Sequence, residues 1–185
     1  HESVKGYRRE LDLTTGLVRI QYRYNRVQYL REYLADLHSD RLWVRWAAEM
    51  PFDAELHLSR IDDPDCSLDY KVDVNELTMT GQFPEGIAFR IFVCPRVVGG
   101  RRIPHDRLLQ LQSIREVILK IDIQVTDTTD LAPASSPVKD EKWDAMLQAH
   151  LKEYQSLYSA VQLEIKDDHG DDRPRGDRPE CRVLG

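Results

Sequence analysis

The chain has 185 residues, enough for one domain with a sizeable core, and carries a formal charge of −6 with 41% hydrophobic and 31% charged residues. Its Arg and Lys are scattered among Asp and Glu and form no stripe, which excludes the usual footprint of a nucleic-acid partner. No apolar run approaches the roughly 20 residues of a membrane-spanning helix, which excludes a helical membrane anchor in this stretch.

The first residue is His1, with no signal-peptide pattern behind it, so a removed leader or an excised fragment is expected. The opening stretch Tyr7-Arg8-Arg9-Glu10-Leu11-Asp12-Leu13 runs into the turn Thr14-Thr15-Gly16. Val18, Ile20, Tyr22 and Tyr24 then alternate with Arg19, Gln21 and Arg23, the period of a strand. Asn25-Arg26 supplies the next turn, and a strand follows from Val27 to about Ala35. Leu42, Val44, Trp46 and Ala48 share one face of a further strand, with Trp43 and Arg45 on the other. Ala54, Leu56 and Leu58 mark another strand. Asp62, Asp63 and Asp65 around Pro64 have the composition of a turn, and their spacing fits no standard calcium loop.

Leu77 and Met79 predict a short strand, and Ile87, Phe89, Ile91 and Val93 a longer one stopped by Pro95. Residues 99–113 read as a long Arg-rich loop, a type of segment that is commonly functional or mobile. Val117, Leu119, Ile121, Ile123 and Val125 form the apolar face of the last strand, with Glu116, Lys120, Asp122 and Gln124 on its solvated face. Residues 126–137 have the composition of a linker. A helix is expected from Val138 or Lys139, with Asp140 and Glu141 in its first turn and Trp143, Leu147, Leu151, Tyr154, Leu157 and Val161 as its apolar stripe. From Asp167 onward no periodicity remains.

The expected organisation is therefore mainly β: an antiparallel β-sandwich over residues 1–126, a linker with an amphipathic helix over 127–165, and an extended or disordered tail over 166–185. Strands without alternating helices exclude a doubly wound sheet.

Little in the chain points to chemistry. General acid–base hydrolysis needs suitably placed carboxyl groups within reach of the scissile bond. Glu32, in a strand, more readily pairs with a cation on a neighbouring strand. His38, His57, His105, His150 and His169 have no metal-ligand spacing, and His150 reads as a packed histidine with one ring nitrogen satisfied. Cys66, Cys94 and Cys181 are far apart and suit neither a disulfide framework nor a zinc site. No metal or other cofactor is expected. Tyr22, Tyr24, Tyr29, Tyr33, Trp43 and Trp46 crowd the first strands. Trp46 falls in register with core positions, whereas Trp43 points the other way and is the candidate for sugar stacking or an interdomain contact.

The order Tyr7-Arg8-Arg9-Glu10-Leu11-Asp12-Leu13, Tyr29-Leu30-Arg31-Glu32, Asp40-Arg41-Leu42-Trp43-Val44-Arg45-Trp46, Gly99-Gly100 and Trp143-Asp144-Ala145-Met146-Leu147 with His150 and Tyr154 resembles the non-catalytic N-terminal sandwich of glycoside hydrolase family 95, the α-L-fucosidases. It departs from that pattern at Leu34, Asp36 and Ala160. It is also similar to the disaccharide phosphorylases of glycoside hydrolase family 65, whose N-terminal sandwich has an R-x-LDL hairpin. The YRRELDL form and the helix with His150 and Tyr154 favour family 95.

The resemblance implies a supersandwich-like fold, incomplete at its N-terminal edge, and an extracellular or periplasmic location. The catalytic residues of such enzymes lie in an α/α barrel beyond this sequence, so none is assigned here. The barrel, in cis or missing, is the implied partner, and carbohydrate is a possible ligand. Trp43, Arg101, Arg102, His105, Trp143 and Tyr154 are the candidates for interdomain or sugar contact. A stand-alone carbohydrate-binding sandwich and a truncated product without activity are the competing expectations.

Overall fold

The computed structural model describes residues 3–37, 41–127 and 142–160. The strands are β1 (Lys5–Asp12), β2 (Leu17–Tyr24), β3 (Val27–Ala35), β4 (Arg41–His57), β5 (Ser67–Val72), β6 (Leu77–Gln82), β7 (Ala88–Val98), β8 (Arg101–Pro104) and β9 (Leu108–Thr126), followed by helix α1 (Trp143–Tyr158). They pair antiparallel in the order β1-β2-β3-β4-β9-β7-β6-β5, with β8 paired to β9.

Turn chemistry fixes the first hairpins. The Asp12 carboxylate accepts from the Thr14 backbone N–H at 2.9 Å and from the Thr14 hydroxyl at 2.7 Å. Those bonds, the hydroxyl's first, hold the Asp12 carboxyl below its usual value. Asn25 and Arg26 both adopt positive φ, the signature of a two-residue type I′ hairpin turn.

The sandwich arises because the central strands bend at one level. The β4·β9 pairing shifts register between Ala47 and Ala54, and Ser113 of β9 has a φ of 55°. The Ser113 backbone N–H is caught by Asp53 Oδ1 at 2.8 Å. Gly99 and Gly100, both at positive φ, kink the neighbouring strand between β7 and β8. At Gly100 a Cβ would overlap the Gln112 carbonyl, so only glycine fits the approach. The ends of β4 and β8 and the start of β9 thereby fold over one face of the large sheet. Phe52, Ala54, Leu109, Leu111 and Ile114 from the folded part meet Leu77, Val93 and Val117 from the sheet, and this is the main core. The sheet does not close into a barrel.

The opposite, outer face carries a second apolar cluster. Leu17, Leu34, Trp43 and Ile118 from β2, β3, β4 and β9 receive Trp143, with Met146 and Leu147 beside it. Helix α1 thus docks on its own sandwich.

Several expectations change. Residues 99–113 are not a loop: Gly99-Gly100 is a kink, and β8 and β9 are paired from Arg101↔Gln112 to Pro104↔Leu109. The strands expected around Trp46 and around Leu56 are one bent strand, β4. β5 was not anticipated. Asp122 and Lys120 are buried, not solvated, because Asp122 accepts from Arg41 Nε at 2.7 Å and lies 3.4 Å from Lys120 Nζ. The helix starts at Trp143, with Asp144 as the acidic residue of its first turn. Its docked face is Trp143, Met146, Leu147, His150 and Tyr154, while Leu157 is exposed. Docking chooses the face here, and the apolar count does not. Of the expected linker over 126–137 all but its first two residues, the expected helix start at Val138 or Lys139 with Asp140 and Glu141, Val161 of the expected stripe, the tail over 166–185, and His38, His169 and Cys181 lie outside the described residues.

Candidate functional site

The most concentrated polar chemistry lies on the outer face. Register places Glu10, Arg19, Glu32 and Arg45 side by side on β1, β2, β3 and β4, pointing the same way. Glu32 is 3% exposed. One of its oxygens accepts from Arg19 Nε at 3.0 Å and Nη2 at 2.9 Å, and the other accepts from Arg45 Nη1 at 3.2 Å. Arg45 Nε donates to Glu116 Oε2 of β9 at 2.8 Å, and Glu10 lies 3.9 Å from Arg19. Burial pulls the Arg45 guanidinium down, but Glu116 and Glu32 together outweigh it and hold the group above its usual value. The row is a closed charge ladder across the sheet. Both Glu32 oxygens are committed to guanidinium groups.

The outer face beside the ladder is covered. Trp43, 7% exposed, points outward from β4 but lies under α1 with Trp143, so no sugar can stack on it in this arrangement. His150 Nε2 stands 2.9 Å from the Thr15 carbonyl in the β1–β2 turn, and its ring stacks on Tyr154 at 5.2 Å. Tyr154 closes over Gly16, where an added Cβ would stand 2.7 Å from the ring. These contacts pin the helix to the first hairpin.

On the inner face, Tyr22 and Tyr29 stack at 5.1 Å with planes 4° apart. The Arg31 guanidinium stands 5.5 Å from the Tyr22 centroid and 4.3 Å from that of Trp46. Phe52 packs edge-on to Tyr29 at 5.7 Å. Burial, with Tyr22 and Tyr24 nearby, pushes the Tyr29 hydroxyl up. These rings pack on one another and on Arg31.

Arg101 and His105 are exposed and Arg102 half-buried around β8. Arg101 Nε donates to Gln112 Oε1 at 2.7 Å, and Arg102 Nη1 to the Pro95 carbonyl at 3.4 Å. The six candidate residues therefore fall into two places, the helix seat (Trp43, Trp143, Tyr154) and the β8 hairpin (Arg101, Arg102, His105).

A cleft of about 350 Å³ opens where β6, β7 and the end of β9 meet, lined by Met79, Phe89, Ile91, Ile123 and Val125 with Ser59 and Arg60 at its polar side. No sequence signal marked it, since its walls look like ordinary strand residues. Among the described residues no group of His, Cys, Asp or Glu could hold a metal ion, and no helix is long and apolar enough to cross a membrane.

Comparison with known proteins identifies the sandwich. The family model described as "Glycosyl hydrolase family 65, N-terminal domain" matches residues 1–129, ending just past β9. Among solved structures, "Putative kojibiose phosphorylase from human microbiome" superposes with a TM-score of 0.65 at 10% identity, covering 87% of this chain and 26% of that one. At that identity the likeness is one of fold, and this chain spans about a quarter of that protein. No curated protein matches. Of the two resemblances carried by the sequence motifs, family 65 is the one that matches, and the α-L-fucosidase family gains no support.

Proposed function

Because this chain belongs to the N-terminal domain family of glycosyl hydrolase family 65, we propose that it is the non-catalytic accessory sandwich of an enzyme acting on a disaccharide of the kojibiose kind. Its partner is a catalytic α/α barrel in cis. In this reading the sandwich over residues 1–126 and helix α1 form one rigid support, and Arg101, Arg102 and His105 on the β8 hairpin face the catalytic domain. The observation that carries the reading is the closed charge ladder. Glu32, the strand carboxylate expected from the sequence to pair with a neighbouring cation, is held by Arg19 and Arg45 and is not a free acid–base candidate. The family match and the fold shared with a phosphorylase of which the match covers 26% supply the enzymatic context.

The test is an assay of the purified, folded chain for phosphate-dependent breakdown of kojibiose and for fucose release from 2′-fucosyllactose. No turnover of either is expected at high protein concentration. Turnover that persists through repurification and is abolished by a substitution in this chain would place an active site within it and end the accessory reading.

A further inference from the structure

We propose that the open edge of β1 pairs antiparallel with β1 of a second copy of this chain, with Arg9 on the two-fold axis. This does not rest on the disaccharide reading. β1 ends the strand order and pairs only with β2, so among the described residues the backbone donors and acceptors of its other side have no strand to meet. Val4, Tyr7, Leu11 and Leu13, on this strand or beside it, are each at least 45% exposed. Register with β2 puts Arg8 and Glu10 on the outer face, opposite Gln21 and Arg19, and Arg9 and Leu11 on the inner face, opposite Ile20 and Val18. Tyr7, two residues before Arg9, falls on the inner side by alternation.

A strand that meets its own copy across a two-fold axis pairs residue i with j and j with i. With Arg9 on the axis, Tyr7 falls opposite Leu11 on the inner face and Arg8 opposite Glu10 on the outer face, each pair twice. The outer row then continues the charge ladder. That ladder alternates Glu116, Arg45, Glu32, Arg19 and Glu10, and the next strand has to supply a cation. Arg8 of the second copy supplies it. Centring the axis on Arg8 or on Glu10 instead sets like charges together in this row. The cost of the favoured register is Arg9 opposite Arg9, at an exposed position. The bulge between Lys5 and Arg8, with Gly6 at a φ of 59°, confines the pairing to Tyr7 through Leu11, a small interface that forms and dissociates with concentration. The other edge of the sheet, β5, has less to gain. Its Leu68, Tyr70 and Val72 are already half-buried, Arg107 stands 4.9 Å from the Tyr70 ring centroid, and Lys71 is paired with Glu76.

The test is sedimentation equilibrium of the full chain from micromolar to millimolar concentration, with amide exchange followed over the same range. A reversible monomer–dimer step is expected, with exchange slowing at residues 7–11 as concentration rises. Arg8→Glu turns two opposite-charge pairs into like-charge pairs and weakens the dimer at least about tenfold. The Arg8 side chain is 71% exposed, so this change spares the fold. Arg9→Thr removes the one like-charge contact and tightens the dimer about threefold. A gain and a loss of affinity from adjacent exposed arginines is a pattern that non-specific association does not produce. A monomer at every concentration, a dimer indifferent to Arg8→Glu, a dimer loosened by Arg9→Thr, or exchange that slows at residues 67–72 and not at 7–11 would each overturn the proposal.

Discussion

Glu32→Gln is the substitution that most directly probes why the outer face of the sheet holds together. The side chain keeps its shape but loses its charge, and its amide nitrogen is turned toward guanidinium groups that can only donate. Breaking a buried ion pair from one side costs about 3–5 kcal/mol when the orphaned charge stays buried. Here the partners are not wholly trapped. The Arg19 side chain is 38% and that of Arg45 25% exposed, and Arg45 keeps Glu116. Both therefore recover some hydration, and the expected loss falls to about 2–3 kcal/mol. Glu10 is the internal control. It belongs to the same row, but it pairs with Arg8, whose side chain is 71% exposed, and lies 3.9 Å from Arg19. Glu10→Gln should cost no more than about 0.5 kcal/mol. Urea unfolding followed by the fluorescence of Trp43, Trp46 and Trp143 measures both, and the denaturant slope should stay constant if only stability changes. Salt at 1 M, where screening acts over about 3 Å, should erase the small Glu10 effect and leave most of the Glu32 effect. Equal losses for the two variants, or a Glu32 loss below about 1 kcal/mol, would refute the claim that burial separates the members of the ladder.

Other outcomes follow from the helix seat, the bend and the first turn. Trp143→Ala should release α1 from Leu17, Leu34, Trp43 and Ile118, read as lost helical circular dichroism and faster amide exchange in α1 at temperatures where the sheet remains folded. His150→Leu should cost about 1–3 kcal/mol in thermal or urea unfolding by leaving the Thr15 carbonyl without its 2.9 Å partner. Gly100→Ala combines a positive φ with overlap on the Gln112 carbonyl and should cost at least about 2 kcal/mol, whereas Gly6→Ala, where the φ is also positive but no atom lies within 4 Å, should cost less. Asp12 has a folded-state pKa below its usual 3.8, so its contribution is present above that pH and lost as pH falls through the lower folded value. Asp12→Asn should therefore flatten the acid limb of the stability profile, and an unchanged acid limb would count against the turn's role.

What the sequence displayed depended on whether the signal was local. The β2–β3 hairpin was legible because Val18, Ile20 and Tyr22 alternate cleanly and Asn25-Arg26 can adopt positive φ. β5 shows the same alternation, Leu68, Tyr70 and Val72 against Ser67, Asp69 and Lys71, but it is short, polar and preceded by an Asp-rich turn. The continuity of β4 was hidden by Pro51, which reads as a break yet falls within the stretch where the register shifts. The region 99–113 misled because a Gly pair and clustered Arg look like loop composition, while the pairing that makes it a strand comes from β9. For α1, the apolar residues outnumber one face, and only the docked hairpin reveals that His150 and Met146 take the places that Leu151 and Leu157 seemed to claim. The Arg41–Asp122 pair, 81 residues apart, had no trace in the sequence at all.

The same geometry explains why the motifs identified a fold more readily than a substrate. The Glu of YRRELDL is Glu10 and the Glu of YLRE is Glu32, and the sheet sets them in one cross-strand row with Arg19 and Arg45 between and beside them. Asp12 of the same motif caps the turn, and Leu17 just past the turn helps seat the helix. Arg8 to Asp12 of the opening stretch are used by strand pairing, and Asp12 also by the turn, while the side chains of Tyr7, Leu11 and Leu13 stay exposed. A motif built from such residues constrains register and layer packing, and any enzyme that keeps this sandwich can keep the motif whatever sugar its catalytic domain takes. That is why an α-L-fucosidase resemblance and a disaccharide phosphorylase resemblance rested on the same residues, and why the choice between them came from the match over residues 1–129 as a whole.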